Sequence, residues 1–152
     1  MDDDLLAALP ALKVIFYAGG TVRYFTTDAL WNRGVRVTTA VAINAVPVSE
    51  YTVAAILLGL KRFWHYVRVT RAEHTFRMER PVPGAFGSNV GLVSYGTIAR
   101  LVRERLRAHE VNVLVYDPFL SDADARRADL RKVGLDELFA ACDVVSLHAP
   151  TL

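Results

Sequence analysis

The sequence predicts an α/β protein built on a doubly wound parallel sheet, and three observations carry that prediction. Short runs rich in Val, Ile and Leu alternate with helical periodicity along the whole chain, the pattern of right-handed strand, helix, strand units. Two of these runs, "VNVLVYD" (111–117) and "DVVSLH" (143–148), are almost continuously apolar, as strands covered on both faces of a sheet must be. Between the run "VGLVS" (90–94) and the helix after it stands a glycine-bearing turn.

The elements follow in order. "MDDDLLAALPAL" opens with acids where a secretion signal needs bases. "LKVIFYA" (12–18) is a strand ended by Gly19 and Gly20. A helical pattern covers about 22–32 and closes at Gly34, and the β-branched "VRVTTA" (35–40) is a second strand. Pro47, with Ser49 and Glu50 in the first turn, marks a helix start, and the helix is expected to run to roughly Val67. Its apolar surface extends most of the way round, which predicts burial on several sides. The most apolar part, "YTVAAILLGL" (51–60), is flanked by Glu50 and Lys61 and is short of the roughly 20 residues a membrane span needs. No membrane partner and a cytoplasmic location are therefore expected.

Residues 61–80 change character, mixing Arg62, Arg68, Arg71, Arg77 and Arg80 with Phe63, Trp64, Tyr66 and Phe76. Such a mixture can bind single-stranded nucleic acid. The favoured reading is a polar-faced helix joining two domains with its aromatics packed inward, so no nucleic-acid partner is expected. "RPVPGAFGS" (80–88) is a loop at a domain boundary. A helix over about 97–108 puts Ile98, Leu101, Val102 and Leu106 on one face, and "LDELFAAC" (135–142) is a short helix. Asp122, Asp124 and Asp129 among Arg126, Arg127, Arg131 and Lys132 predict a solvated helix surface.

Composition limits the function classes. The 152 residues are 53% hydrophobic and 22% charged, as expected of a core-forming globular chain. Eighteen Lys and Arg against 16 Asp and Glu leave a formal charge of +2, too weak to argue for a polyanionic partner. The single cysteine, Cys142, excludes an internal disulfide, and His65, His74, His109 and His148 show no metal-ligand spacing. No metal site is expected.

The turn carries the chemistry. A dinucleotide fingerprint uses one glycine for a tight turn, a second so that the backbone can approach the pyrophosphate, and a third for close packing of helix on strand. Those positions hold Ser94, Gly96 and Ala99. If the first requires positive φ, serine costs on the order of 1–2 kcal/mol there. The helix starting after Gly96 aims its N–H groups and the positive end of its dipole at the turn. Asp117 stands 21 residues after Gly96, close to the roughly 20-residue interval of the acid that holds the ribose hydroxyls. A carboxylate there repels a 2′-phosphate and favours NAD over NADP. The plainer reading, in which Asp117 starts a turn with Pro118, stays open. His148 ends a strand at the carboxyl edge of the sheet, where ligands of doubly wound folds bind.

In sequence order, "VGLVSYGTIAR", "VNVLVYDPF" and "GLDELFAACDVVSLHAP" resemble the cofactor domain of the D-isomer-specific 2-hydroxyacid dehydrogenases. Upstream, "NAVPVSEYTVAAILLGLKR" resembles that family's inter-domain helix, and "IFYAGGTVRYF" its substrate-facing loop. The resemblance implies an incomplete Rossmann-like sheet preceded by part of a flavodoxin-like substrate domain. Residues 1–66 would be the partial substrate domain and inter-domain helix, 67–88 a linker, and 89–152 the first half of the NAD-binding domain.

The resemblance also implies a set of site residues. Ser94, Tyr95, Gly96, Thr97 and Ile98 would form the pyrophosphate turn, Asp117 and Pro118 the ribose side, and His148, Ala149 and Pro150 a border of the cofactor. Gly19, Gly20 and Thr21 would form the substrate loop, with Thr21, Val22 and Arg23 departing from the family's usual glycine, valine and aspartate. NAD is the implied cofactor, a 2-hydroxy or 2-keto acid the implied substrate, and a homodimer the implied assembly. The family's catalytic arginine, glutamate and histidine follow the strand that ends here in "SLHAP". The expectation is therefore a truncated, catalytically inactive member, with a non-catalytic NAD-binding or dimerisation module and a gene remnant as alternatives.

Overall fold

The computed structural model describes residues 1–75, 82 and 84–150. The chain divides into two compact units, Met1–Ala45 and Val46–Leu152.

In the first unit the three opening aspartates start a helix. Asp2 caps helix α1 (Asp3–Ala8) by accepting from the Leu5 N–H, and Asp3 and Asp4 lie in its first turn, where the helix dipole favours them. Strands β1 (Val14–Tyr17) and β2 (Arg36–Thr39) pair in parallel, Val14 opposite Arg36 and Tyr17 opposite Thr39. The helix expected over 22–32 is shorter: α2 spans Asp28–Asn32. Two threonines shorten it, since Thr26 donates its hydroxyl to the Val22 carbonyl and Thr27 caps α2 by accepting from Leu30 N–H. Leu6, Leu30 and Val35 form this unit's small core.

Helix α3 (Val41–Leu60) starts well ahead of Pro47, so the proline lies inside it instead of at its start. Proline there removes only the N–H that would reach Ile43, and the Ser49 and Thr52 hydroxyls donate to the Val46 and Val48 carbonyls nearby. One stripe is buried, comprising Ala45, Ser49, Val53, Ile56 and Leu60, while Val46, Val48, Tyr51 and Leu58 are exposed. Burial on several sides is thus corrected to burial on one, because the three- and four-residue spacing of the stripe serves a single helical face. At 20 residues α3 is, by length and composition alone, long and apolar enough to cross a membrane. Its Val53, Ile56 and Leu60 nevertheless belong to the core cluster of the second unit.

The helix expected to continue to Val67 is interrupted. Arg62 adopts a left-handed conformation (φ 53) and a separate helix α4 (Phe63–Glu73) follows. None of its residues is buried, and Phe63 and Trp64 are exposed and meet each other edge to face at 6.1 Å. The inward packing expected of these aromatics is therefore overturned: the break at Arg62 re-aims the helix, and the two rings cover each other. Phe76, Arg77 and Arg80 lie outside the described residues.

The second unit carries a four-stranded parallel sheet of β3 (Asn89–Val93), β4 (Asn112–Tyr116), β5 (Arg131–Lys132) and β6 (Val144–Leu147), in spatial order β5-β4-β3-β6. The connecting helices are α5 (Thr97–Leu106), α6 (Asp122–Arg127) and α7 (Leu135–Ala141), with a 3₁₀ turn, Arg107–His109, after α5. Arg131 and Lys132, expected on a helix surface, instead form the edge strand β5, whose shortness and charge suit an edge. Val90, Leu92, Val102, Leu106 and Val115 fill the core. Gly91 is demanded by α7: a Cβ on it would lie 2.7 Å from Leu138 Cδ2 and 3.0 Å from Cys142 Sγ.

Strand register determines what meets at the sheet's carboxyl edge. Val93 aligns with Tyr116 on one side and with Leu147 on the other. The next residues, Ser94, Asp117 and His148, therefore emerge together. The chain passes from β3 outward to β4 and β5, then returns to the opposite side of β3 as β6. That reversal makes the crevice outside these strand ends a topological switch point.

Candidate functional site

Ser94 leaves β3 with φ at +71, the left-handed conformation in which a side chain is strained. Its N–H donates to the Tyr116 carbonyl at 2.8 Å, tying the turn to β4. The strain anticipated for serine at the first glycine position is present, and a carboxylate supports the turn around it. Asp117 Oδ2 accepts the Tyr95 N–H at 2.7 Å, with the Ser94 hydroxyl at 3.5 Å. Its Oδ1 accepts from Phe119 N–H at 2.7 Å and Leu120 N–H at 3.1 Å.

Burial alone would raise the Asp117 pKa. The backbone N–H groups of Tyr95, Phe119 and Leu120, with the Ser94 hydroxyl, more than reverse this and hold the carboxyl below its ordinary range. Asp117 is therefore an anion fixed by backbone donors, and the turn reading that rivalled the ribose reading is realised in the structure. The two roles are compatible. A carboxylate has about four acceptor positions, and four donors occupy them, so an incoming hydroxyl would take the place of the marginal Ser94 bond at Oδ2.

Gly96 is the informative glycine. Its backbone is extended (φ −82, ψ −163), which any residue adopts, and a Cβ built on it meets nothing within 4 Å. Neither conformation nor packing within the described chain requires glycine here. The open space stands before the start of α5, and no side chain caps that start. Thr97 is exposed at the first helical position and Ile98 half-buried at the second. Ala99 is fully buried and brings α5 close to β3, the role of the third fingerprint position. A bare approach at Gly96, uncapped N–H groups, the positive dipole end and a fixed carboxylate one strand away together fit a dinucleotide.

Tyr95 turns into the core and the Arg100 guanidinium stacks on its ring, 4.9 Å from the centroid. Burial pushes the Tyr95 phenol up against the pull of Arg100. Pro118 and Phe119 are exposed beside Asp117, Phe119 at 95%. On the other side of β3, His148 N–H donates to the Val93 carbonyl at 2.9 Å, and its Nε2 lies 3.0 Å from Ser146 Oγ. Burial lowers the His148 pKa, favouring neutral imidazole. Ala149 and Pro150 follow it, exposed.

In the first unit Gly19, Gly20 and Thr21 follow β1 directly. Gly19 sits against Tyr17, whose ring atoms would come within 2.6 Å of an added Cβ, and its carbonyl accepts from Ala40 N–H. A cavity of about 270 Å³ opens beside them at the carboxyl ends of β1 and β2, lined by Tyr17, Ala18, Thr39 and Ala40. Sequence reasoning did not identify the Tyr95 N–H bond to Asp117 or the stacking of Arg100. The one available signal was Asp followed by Pro, which marks a turn that gathers backbone donors. Among the described residues no cluster of three His, Cys, Asp or Glu could hold a metal ion.

Comparison with known proteins supplies the wider frame. A family model described as "D-isomer specific 2-hydroxyacid dehydrogenase, NAD binding domain" matches residues 53–152. D-3-phosphoglycerate dehydrogenase of Mycobacterium bovis is 34% identical over 151 residues, covering 99% of this chain and 28% of that protein. Erythronate-4-phosphate dehydrogenase of Shewanella violacea is 30% identical over 152 residues, covering 100% of this chain and 34% of that protein. Among solved structures, a D-lactate dehydrogenase of Aquifex aeolicus complexed with NAD and lactic acid superposes with a TM-score of 0.75 at 26% identity, covering all of this chain and 46% of that one. A D-lactate dehydrogenase of Treponema pallidum gives the same TM-score, identity and coverage. The chain thus spans about a third or less of the curated relatives it matches.

Proposed function

The chain belongs to the D-isomer-specific 2-hydroxyacid dehydrogenase family, its domain's cofactor being NAD, and from that premise we propose that residues 94–98 hold the pyrophosphate of NAD while Asp117 takes an adenosine-ribose hydroxyl. The observation that carries this reading is Gly96, a glycine that neither its own backbone nor its neighbours explain, at the uncapped start of α5. Thr97 and Ile98 would supply first-turn N–H groups, and Pro118, His148, Ala149 and Pro150 would border the cofactor across the switch point. Bound NAD would supply the hydride acceptor. Gly19, Gly20 and Thr21 would meet the carboxylate of a 2-hydroxy or 2-keto acid.

The proposed activity of the whole protein is NAD-linked oxidation of the CH–OH group of a 2-hydroxy acid. The 152 residues alone are proposed to bind cofactor without turnover, since they span only 28% of the D-3-phosphoglycerate dehydrogenase they resemble. The proposed division is 1–66 as partial substrate domain and inter-domain helix, 67–88 as linker and 89–152 as the NAD-binding half. The exposed Val46, Val48, Tyr51 and Leu58 of α3 support a homodimer, and a cytoplasmic location accords with the dehydrogenase relatives.

Fluorescence titration with NADH tests the central claim. Saturable binding is expected in the wild type, with a loss of at least about tenfold in Gly96→Val at little change in melting temperature, because the added side chain enters the ligand's space and not the protein's. Equal NADH affinity in the two chains would sink the proposal.

A further inference from the structure

The opposite, amino-terminal edge of the sheet carries a second polar cavity that the dinucleotide reading does not use. It has a volume of about 430 Å³ and is bordered by Asn89, Asn112 and Arg131, the first residues of β3, β4 and β5, together with Arg103 and Asp129. Arg103 projects from α5 and is only 6% exposed. Its Nη2 donates to the Asp129 carbonyl at 3.0 Å and to Asp129 Oδ2 at 2.7 Å. Its Nε is buried and has no hydrogen-bond partner among the described residues.

A buried guanidinium is expensive unless its donors and its charge are met. Here the charge is met on one side only, by a carboxylate whose own side chain is 89% exposed and so weakened by solvent. Arg131 also borders the cavity, but the Glu137 carboxylate engages its guanidinium, so Arg103, with its unmet Nε and its one exposed counter-charge, is the group left to receive a ligand. The planar, delocalised guanidinium presents its donors in a fixed fork that matches a carboxylate or a phosphate. A cavity of this size holds several waters or one small molecule.

We propose that this cavity is a binding site for a compact oxyanion, a carboxylate or phosphate group, seated on Arg103 with its counter-charge Asp129 at the rim. The site stands apart from the Ser94 and Asp117 edge by the length of a strand, about 16 Å for five residues, and its occupancy is independent of the cofactor.

The test uses the full 152-residue chain without cofactor, titrated with inorganic phosphate and separately with malonate at constant ionic strength held by chloride, read by calorimetry and thermal shift. Saturable binding of at least one probe is expected, and the tighter of the two identifies phosphate or carboxylate as the preferred group. Arg103→Met removes the binding. Asp129→Asn, which suits the left-handed backbone at this position (φ 55), tightens it several-fold by removing the competing charge. The proposal is overturned if neither probe exceeds the chloride control, since water alone then serves Arg103. It is equally overturned if Arg103→Met binds like the wild type, or if Asp129→Asn binds no more tightly. Should Arg103→Met fail to fold, the Asp129→Asn arm decides.

Discussion

Asp117 Oδ2 receives the Tyr95 backbone N–H at 2.7 Å. The acid at the end of β4 thereby holds the turn at the end of β3 before any ligand arrives. In the proposed reading this carboxylate takes a ribose hydroxyl; in the structure it is the peg on which the Ser94–Tyr95 turn hangs.

Asp117→Ala removes that peg and leaves the N–H groups of Tyr95, Phe119 and Leu120 without their acceptor. A loss of about 2–3 kcal/mol is expected, given the worth of bonds to a charged, buried acceptor. Urea denaturation measures it. NADH affinity falls in the same variant and discrimination against NADPH narrows, because the charge that repels a 2′-phosphate is gone.

Ser94→Gly relieves the strain at φ +71. Relief of about 1–2 kcal/mol is offset by about 0.5–1 kcal/mol of extra chain entropy, so a net gain of up to about 1.5 kcal/mol is expected. Ser94→Val, β-branched in the same conformation, goes the other way and by more. Melting temperatures of the two variants bracketing the wild type would bear this out; Ser94→Gly melting below it would not.

The pH dependence follows from His148 and Asp117, whose pKa values are both lowered in the fold. A lowered group contributes stability that is complete above its ordinary pKa and is lost as pH falls through its folded value. Melting temperature is therefore expected to hold at neutral pH and decline below the ordinary histidine value of 6.5. A second decline follows in acid, below the ordinary carboxyl value of 3.8. His148→Gln removes the first step and keeps the second, which calorimetry over a pH series resolves.

Gly91→Ala drives a Cβ to 2.7 Å from Leu138 Cδ2. Overpacking of this kind costs about 1–3 kcal/mol. Adding Leu138→Ala makes room for the methyl group, so the double variant is expected to be less destabilised than the sum of the two singles. Strict additivity would show that the two side chains do not compete for the same space.

The sheet was legible where hydrophobic period and turn chemistry agree. β3, β4 and β6 are apolar runs with clear ends, and the parallel pairing that brings Ser94, Asp117 and His148 to one edge follows from helices lying between them. What escaped were features decided by single side chains. Asp2 starts a helix too short to show a period, Thr27 delays α2, and Arg62 breaks a continuous helical pattern through one left-handed residue. β5 was hidden because an edge strand of two charged residues carries no apolar signal. At the candidate site, the arrival of Ser94, Asp117 and His148 at one sheet edge was readable from the strand pattern. The occupation of both Asp117 oxygens by backbone donors was not, because it depends on how two loops meet in space.

Gly96 and Ser94 stand two residues apart, yet the structure constrains them differently. A single base change converts a glycine codon into a serine codon, and with Asp117 bracing the turn that step at position 94 costs little. At position 96 no neighbouring atom calls for glycine, so under the proposed reading its bareness would serve a molecule outside the chain, and no internal contact could compensate for its loss. Under that reading serine and glycine are interchangeable at the first position while the second admits only glycine, so a fingerprint that demands glycine at both would pass over sequences of this kind.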